Sequence, residues 1–108
     1  MFIPAFDANE RAFHLALQAC ALDDSAALPH NTLARIYMQR GLNDRALAEA
    51  QRAMTRDPNS AFGYETLAEV LNGQERPREA LAAVDNAIRL DPHNRVNYFG
   101  ARDGLIFS

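Results

Sequence analysis

The sequence repeats itself every 34 residues. Residues 27–60 laid over 61–94 without a gap give identities at Ala27/Ala61, Thr32/Thr66, Leu33/Leu67, Ala34/Ala68, Ala46/Ala80, Leu47/Leu81, Ala48/Ala82, Ala53/Ala87, Asp57/Asp91 and Pro58/Pro92. These are 10 of 34 positions, where chance at this composition gives roughly 3. Other pairs keep their chemistry: Leu28/Phe62, His30/Tyr64, Ile36/Val70 and Met54/Ile88. The ladder extends in both directions. Ala12, Ala19 and Asp23 continue the Ala46, Ala53 and Asp57 positions, and Tyr98 continues His30 and Tyr64. A period of this length belongs to stacked supersecondary units, none of which can bury its apolar face alone.

Each unit splits into two helical stripes. His30, Leu33, Ala34 and Tyr37, then Tyr64, Leu67, Ala68 and Leu71, fall at i, i+3, i+4, i+7, one face of an α-helix. Ala46, Leu47, Ala50, Ala53 and Met54, then Ala80, Leu81, Val84, Ala87 and Ile88, form a second stripe, which Ala12, Phe13, Ala16, Ala19 and Cys20 repeat near the N-terminus. Turn residues lie between the stripes. Gly41 to Asp44 separates one pair, with Asn43 as the expected N-cap. Gly73 to Pro77 separates the next, with Pro77 suited to a first helical turn. Asp57-Pro58 and Asp91-Pro92 end the second helices, because proline disfavours helical backbone in the residue before it. Ser60 and Asn94 are expected caps, and Asp7 with Glu10 resembles a capping box. The spacing predicts helices over 8–22, 27–40, 44–56, 61–73, 77–90 and 95–107, with short loops that make neighbours antiparallel. The fold class is therefore all-α, about six helices, in one domain over 1–108: a half repeat (7–26), repeats at 27–60 and 61–94, and a partial repeat or capping helix (95–108).

Small side chains are placed where two axes must approach. Ala34 and Ala68 sit on the first stripe; Ala46, Ala53, Ala80 and Ala87 sit two turns apart on the second. Larger residues there would force the pairs apart.

Composition excludes several functions. The chain has 108 residues, 11 basic and 14 acidic, net −3. That balance gives no basic face for phosphates, so nucleic acid is not an expected partner. All the basic residues are Arg, a bias of the source more than a site. One Cys excludes an internal disulfide framework and a multi-Cys zinc site. No apolar run reaches the roughly 20 residues that span a bilayer, and the start MFIPAF lacks the basic region of a signal peptide. A cytoplasmic location and no membrane partner are the expectations.

A 34-residue helix–turn–helix unit with an aromatic, then Leu-Ala, then a late Ala, a further Ala seven on, and Asp-Pro at its end resembles the tetratricopeptide repeat (TPR). Tyr64, Leu67, Ala68, Leu71, Ala80, Val84, Ala87, Asp91 and Pro92 carry the resemblance, and 27–58 repeats it with His30 in an aromatic slot. It covers about 7–100. It implies an α-solenoid, a right-handed superhelix of antiparallel helix pairs that serves as a scaffold for protein–protein contacts. The ends depart from the pattern. The N-terminal segment is a second-type helix without its first. The C-terminal one is a first-type helix with Gly100, Ala101, Arg102 and Gly104 in weakened positions, and apolar Leu105, Ile106 and Phe107 follow it, where natural arrays close with a polar cap.

The resemblance places the first helices on a concave face. Mapped by repeat position, that face carries Leu28, Asn31, Arg35, Met38 and Gln39, then Phe62, Glu65, Glu69 and Asn72, then Val96, Phe99 and Asp103. One Arg faces three carboxylates among exposed Leu, Phe and Met. Such a groove suits a partner peptide or helix with basic and apolar side chains; the competing reading is a set of solvated helix faces. Some TPR domains clamp the acidic C-termini of chaperones with Lys, Asn and Arg. The corresponding positions here hold Asn31, Arg35, Thr66, Val96 and Gly100, with a single basic residue, which argues against that specialisation.

No catalytic, cofactor or metal site is expected. Glu65 and Glu69, one turn apart, read as a solvated acidic stripe and not as an acid–base pair. Cys20, in register with Met54 and Ile88, reads as a buried small hydrophobe. His30 reads as core packing, and His14 and His93 make no ligand spacing with it. Phosphate-loop, GxSxG and HExxH motifs are missing. The leading reading is a non-catalytic interaction module. The alternatives are a regulatory or spacer fragment of a larger multidomain bacterial protein, and self-association through incomplete end repeats.

Overall fold

The structure, a computed structural model, describes the backbone of residues 4–94 and the burial of 8–93. Five α-helices run in order: α1 (Pro4–Leu22), α2 (Ala27–Gln39), α3 (Asn43–Arg56), α4 (Ala61–Gly73) and α5 (Pro77–Leu90), then a 3₁₀ turn, Pro92–Asn94. No strand occurs among the described residues. The expected sixth helix lies outside them. The fold is the all-α helical repeat that the 34-residue period predicts.

The helices pack in the order the period requires. α2 pairs with α3 and α4 with α5, while α1 lies on α2, α3 on α4, and α2 beside α4. First helices thus touch one another directly, which places α2 and α4 in one layer and the second helices in the other. Alanine makes the close pairing feasible: Ala34, Ala46, Ala50, Ala53, Ala68, Ala80 and Ala87 are all buried. An apolar cluster joins Ala68, Leu71, Ala80, Ala83, Val84 and Ala87, with Leu47 of α3, Tyr64 and Leu67 packed against it.

Both hairpin turns use one device. Leu42 N–H donates to the Tyr37 carbonyl (2.9 Å) and Gly41 N–H to that of Met38 (3.0 Å). One repeat later, Arg76 N–H donates to Leu71 (3.0 Å) and Glu75 N–H to Asn72 (3.1 Å). This is the six-to-one and five-to-two pattern that closes a helix with one left-handed residue. Gly41 has φ +77 with open space around it, whereas Glu75 holds φ 59 in the same slot. Gly73, read from sequence as part of the break, is the last residue of α4.

The capping expectations divide. Ser60 caps α4, its Oγ accepting from Gly63 N–H at 3.0 Å, and Pro77 opens α5. Asn43 is not a cap: it is the first residue of α3, Leu42 precedes it, and no side chain caps that end. Asp7 is not one either, because α1 begins at Pro4, four residues earlier than the predicted start. Proline in a first turn needs no N–H partner and carries the helix past the polar signal.

Candidate functional site

The α2 and α4 faces that meet side by side carry most of the expected groove residues. Arg35 and Glu69 occupy the same repeat position 34 residues apart, and Arg35 Nη2 donates to Glu69 Oε1 at 3.2 Å. The Arg35 guanidinium also lies over the Phe62 ring, 5.6 Å from its centroid. Phe62, Glu65 and Glu69 follow i, i+3, i+7, so they share one stripe of α4. Phe62 is 37% exposed and Leu28, at the same place on α2, 64%. Glu65 and Glu69 are half-buried and Asn72 is exposed.

The electrostatics of this stripe follow from burial. Loss of water around Glu69 pushes its carboxyl above the usual range; the Arg35 charge works against that, and the Glu65 charge adds to it. Glu65 has no hydrogen bond or ion pair among the described residues.

Other expected residues are placed differently. Asn31 is buried (2% exposed) instead of lining an open face, and its Oδ1 has no donor among the described residues. Its register accounts for this: it lies one turn before Arg35, on the side of α2 that meets α4. Thr66, on α4, is fully buried and its Oγ1 also lacks a partner among the described residues. Met38 is half-buried. Gln39 is exposed but accepts from Asn9 Nδ2 of α1 at 3.3 Å. Val96, Phe99 and Asp103 lie outside the described residues.

A second polar cluster was invisible in the repeat pattern. His30 is buried, as expected of its slot, but it packs among charges. Its Nδ1 lies 2.6 Å from Glu49 Oε2 and its Nε2 2.9 Å from Asp24 Oδ1. Both carboxylates lie within hydrogen-bond reach of the ring, one at each nitrogen. Arg52 pairs with Glu49 and Arg56 with Asp24. Cys20 is half-buried, not the buried hydrophobe expected: its Sγ sits 3.7 Å from His30 Nδ1. Desolvation, then the Glu49 and Asp24 charges, push its thiol up, and Arg52 and Arg56 oppose that weakly. A raised thiol is a poor nucleophile. Glu49, at an alanine-rich helix contact, is the residue sequence reasoning missed; its only signal was a charge on an otherwise apolar stripe.

Among the described residues no group of three or more His, Cys, Asp or Glu could hold a metal ion, and no helix is long and apolar enough to cross a membrane. An open depression of about 580 Å³ lies at the hairpin tips, between Gly41, Asn43, Asp44, Leu47, Gln74 and Arg76, away from the α2/α4 face.

No protein-family model matches the sequence, and no curated protein sequence matches it. Solved structures do. The TPR domain of Arabidopsis OM64 superposes with a TM-score of 0.83 at 20% identity, over 94% of this chain and 83% of that one. This chain has a TPR fold. The first TPR of Spaghetti (RPAP3), bound to the HSP90 peptide SRMEEVD, gives 0.83 at 12% identity, over 94% and 79%. The Yersinia enterocolitica type III secretion chaperone SycD, in complex with a peptide of the translocator YopD, gives 0.80 at 16%, over 95% and 83%. In TPR terms α2 and α4 are first helices, and α1, α3 and α5 are second helices.

Proposed function

We propose that the chain is a non-catalytic protein-interaction module whose α2/α4 face takes a partner peptide or helix with basic and apolar side chains. The observation that carries this reading is the state of Arg35. It is already paired with Glu69 and laid over Phe62, so the cation on this stripe is spent within the fold. What remains to a partner is the Glu65 charge beside exposed Leu28 and Phe62. Apolar side chains open to water at the seam of two helices are characteristic of contact surfaces, and a carboxylate beside them selects for a cationic residue. Two structural neighbours hold peptides, which supports peptide binding as a use of this fold. The peptide of the first, SRMEEVD, carries three acidic residues, and this face has the wrong sign for such a ligand.

A peptide array tests the proposal. Twelve-residue peptides graded from acidic to basic, at constant Leu and Phe content, are probed with the chain and with a Glu65→Arg, Glu69→Arg double variant. The basic–apolar peptides are expected to be retained by the parent and lost by the variant, with equal helicity by circular dichroism. Retention of the acidic set by the parent, or indifference to the charge reversal, would sink it.

A further inference from the structure

The buried ring of His30 takes no part in the α2/α4 face, and its two nitrogens have different hydrogen-bonding surroundings. Nε2 meets acceptors: Asp24 Oδ1 at 2.9 Å and the Asp24 carbonyl oxygen at 3.3 Å. Nδ1 meets one acceptor and one donor: Glu49 Oε2 at 2.6 Å and the Cys20 thiol, with Sγ at 3.7 Å. These partners come from three places: Cys20 from α1, Asp24 from the loop after it and Glu49 from α3. Arg52 and Arg56, also on α3, hold the two carboxylates. Asp23, the other charge in the loop, is bonded to Ser25. α4 sends Glu69 to Arg35, and among the described residues no hydrogen bond or ion pair from α4 reaches the ring.

Donor and acceptor arithmetic allows two arrangements here and disfavours a third. A ring with two N–H groups donates to Asp24 from Nε2 and to Glu49 from Nδ1, and the thiol is left over. A ring with one N–H is satisfied when that hydrogen is on Nε2, facing the two Asp24 oxygens. Its Nδ1 lone pair then repels the Glu49 carboxylate and accepts from the Cys20 S–H. The opposite tautomer would set the Nε2 lone pair against two oxygens, in a site where the ring is 3% exposed and water is excluded. Desolvation, with the Glu49 and Asp24 charges, pushes the Cys20 thiol up, so the sulfur keeps the hydrogen it has to donate. We propose that His30 is a proton-operated switch, in which Nδ1 exchanges Glu49 of α3 for the Cys20 thiol of α1 when the ring loses one of two hydrogens. With two hydrogens α2 is tied across to α3. With one it is tied back to α1, and Glu49 keeps Arg52 alone. The α4–α5 joint has no such device: Met54, Tyr64 and Ala83 stand at the register of Cys20, His30 and Glu49. The switch is independent of the peptide-binding reading of the α2/α4 face.

Proton–nitrogen correlation spectra of the nitrogen-labelled 108-residue chain count the ring hydrogens directly. They are recorded from about pH 5 to 8, the range in which imidazole changes charge. Two ring N–H groups are expected at the acid end and Nε2–H alone at the alkaline end. Amide exchange in α3, corrected for its intrinsic pH dependence, is expected to quicken several-fold relative to α5 through the same transition. Cys20→Ala keeps a good helix former at a half-buried position but removes the donor, so its one-hydrogen ring should be a mixture of tautomers. Cys20→Ser keeps a donor and should keep Nε2–H. A ring with its hydrogen on Nδ1 at the alkaline end, or one that holds a single form throughout, overturns the proposal. So does a Cys20→Ala ring indistinguishable from the parent's, or a change in α3 exchange that persists in His30→Tyr, which carries the residue of the second joint.

Discussion

The two joints between a first and a second helix have the same geometry and opposite chemistry. Between α4 and α5 the joint is apolar: Tyr64 packs against the buried cluster that contains Ala83, and Leu90 stands one turn after Ala87. Between α2 and α3 the same three positions are His30, Glu49 and Arg56, joined through Asp24 and Arg52 into one polar chain. Backbone and small-residue packing are common to both, so the alanines set the approach of the helices and the aromatic slot is free to vary. What differs is the kind of stability. An apolar contact gains from every buried methylene. A buried ion pair spends most of its attraction on desolvation, but it penalises the loss of either partner heavily.

The contrast can be broken most sharply at Glu49. Glu49→Ala leaves His30 buried beside a missing acceptor and should cost about 3 kcal/mol in urea or thermal unfolding. His30→Tyr together with Glu49→Ala installs the residues of the second joint. It should return to within about 1 kcal/mol of the parent or exceed it. If the double variant is as unstable as the single, the charges stabilise in their own right. Next in size is overpacking at the shared alanines. Ala53→Leu and Ala87→Leu should each lower stability by about 2 kcal/mol. Equal losses would show that both joints are equally tight, and an unchanged melting temperature in either would mean its helices can separate.

The hairpin turns offer a smaller comparison. Gly41 and Glu75 hold the same left-handed residue. Non-glycine side chains pay roughly 1 kcal/mol there. Glu75→Gly should therefore raise stability by about 1 kcal/mol and Gly41→Ala should lower it by a similar amount, read as opposite shifts of the unfolding midpoint.

The period made the helices, their pairing and the buried alanines legible, because packing of repeated units is written in positions that recur. It could not show what happens where the repeats differ. Glu49 stands where the next repeat has Ala83, and it meets His30 because two deviations from the pattern face each other across a helix pair. Asn31 looked like a groove residue by position, but it is buried. Arg35 and Glu69 were both legible as groove residues, and their pairing was not, although a cation and an anion at one repeat position predict contact between adjacent first helices. The left-handed slot was readable at Gly41 and hidden at Glu75, where the turn overrides residue preference.

The smallest effect separates the joints by pH. The Arg56 hydrogen bond and charge, with help from His30, hold the Asp24 carboxyl below its ordinary range, against a weaker opposing desolvation. A carboxyl that is more acidic in the folded state favours folding fully above its unfolded pKa of about 3.9 and loses that contribution as pH falls through the lower folded value. Asp24 is well exposed, so the contribution is modest and shrinks with salt. Arg56→Leu, which copies Leu90 of the second joint, removes the main cause of the shift. The stability difference between parent and variant should therefore narrow as pH is lowered from 6 through about 3 at low ionic strength. Leu90→Arg has no carboxylate at the Asp24 register, since Pro58 stands there, and should show no such convergence. A gap between parent and Arg56→Leu that stays constant with pH would assign the role of Arg56 to the packing of its side-chain stem and leave the charges of the first joint without a part in its stability.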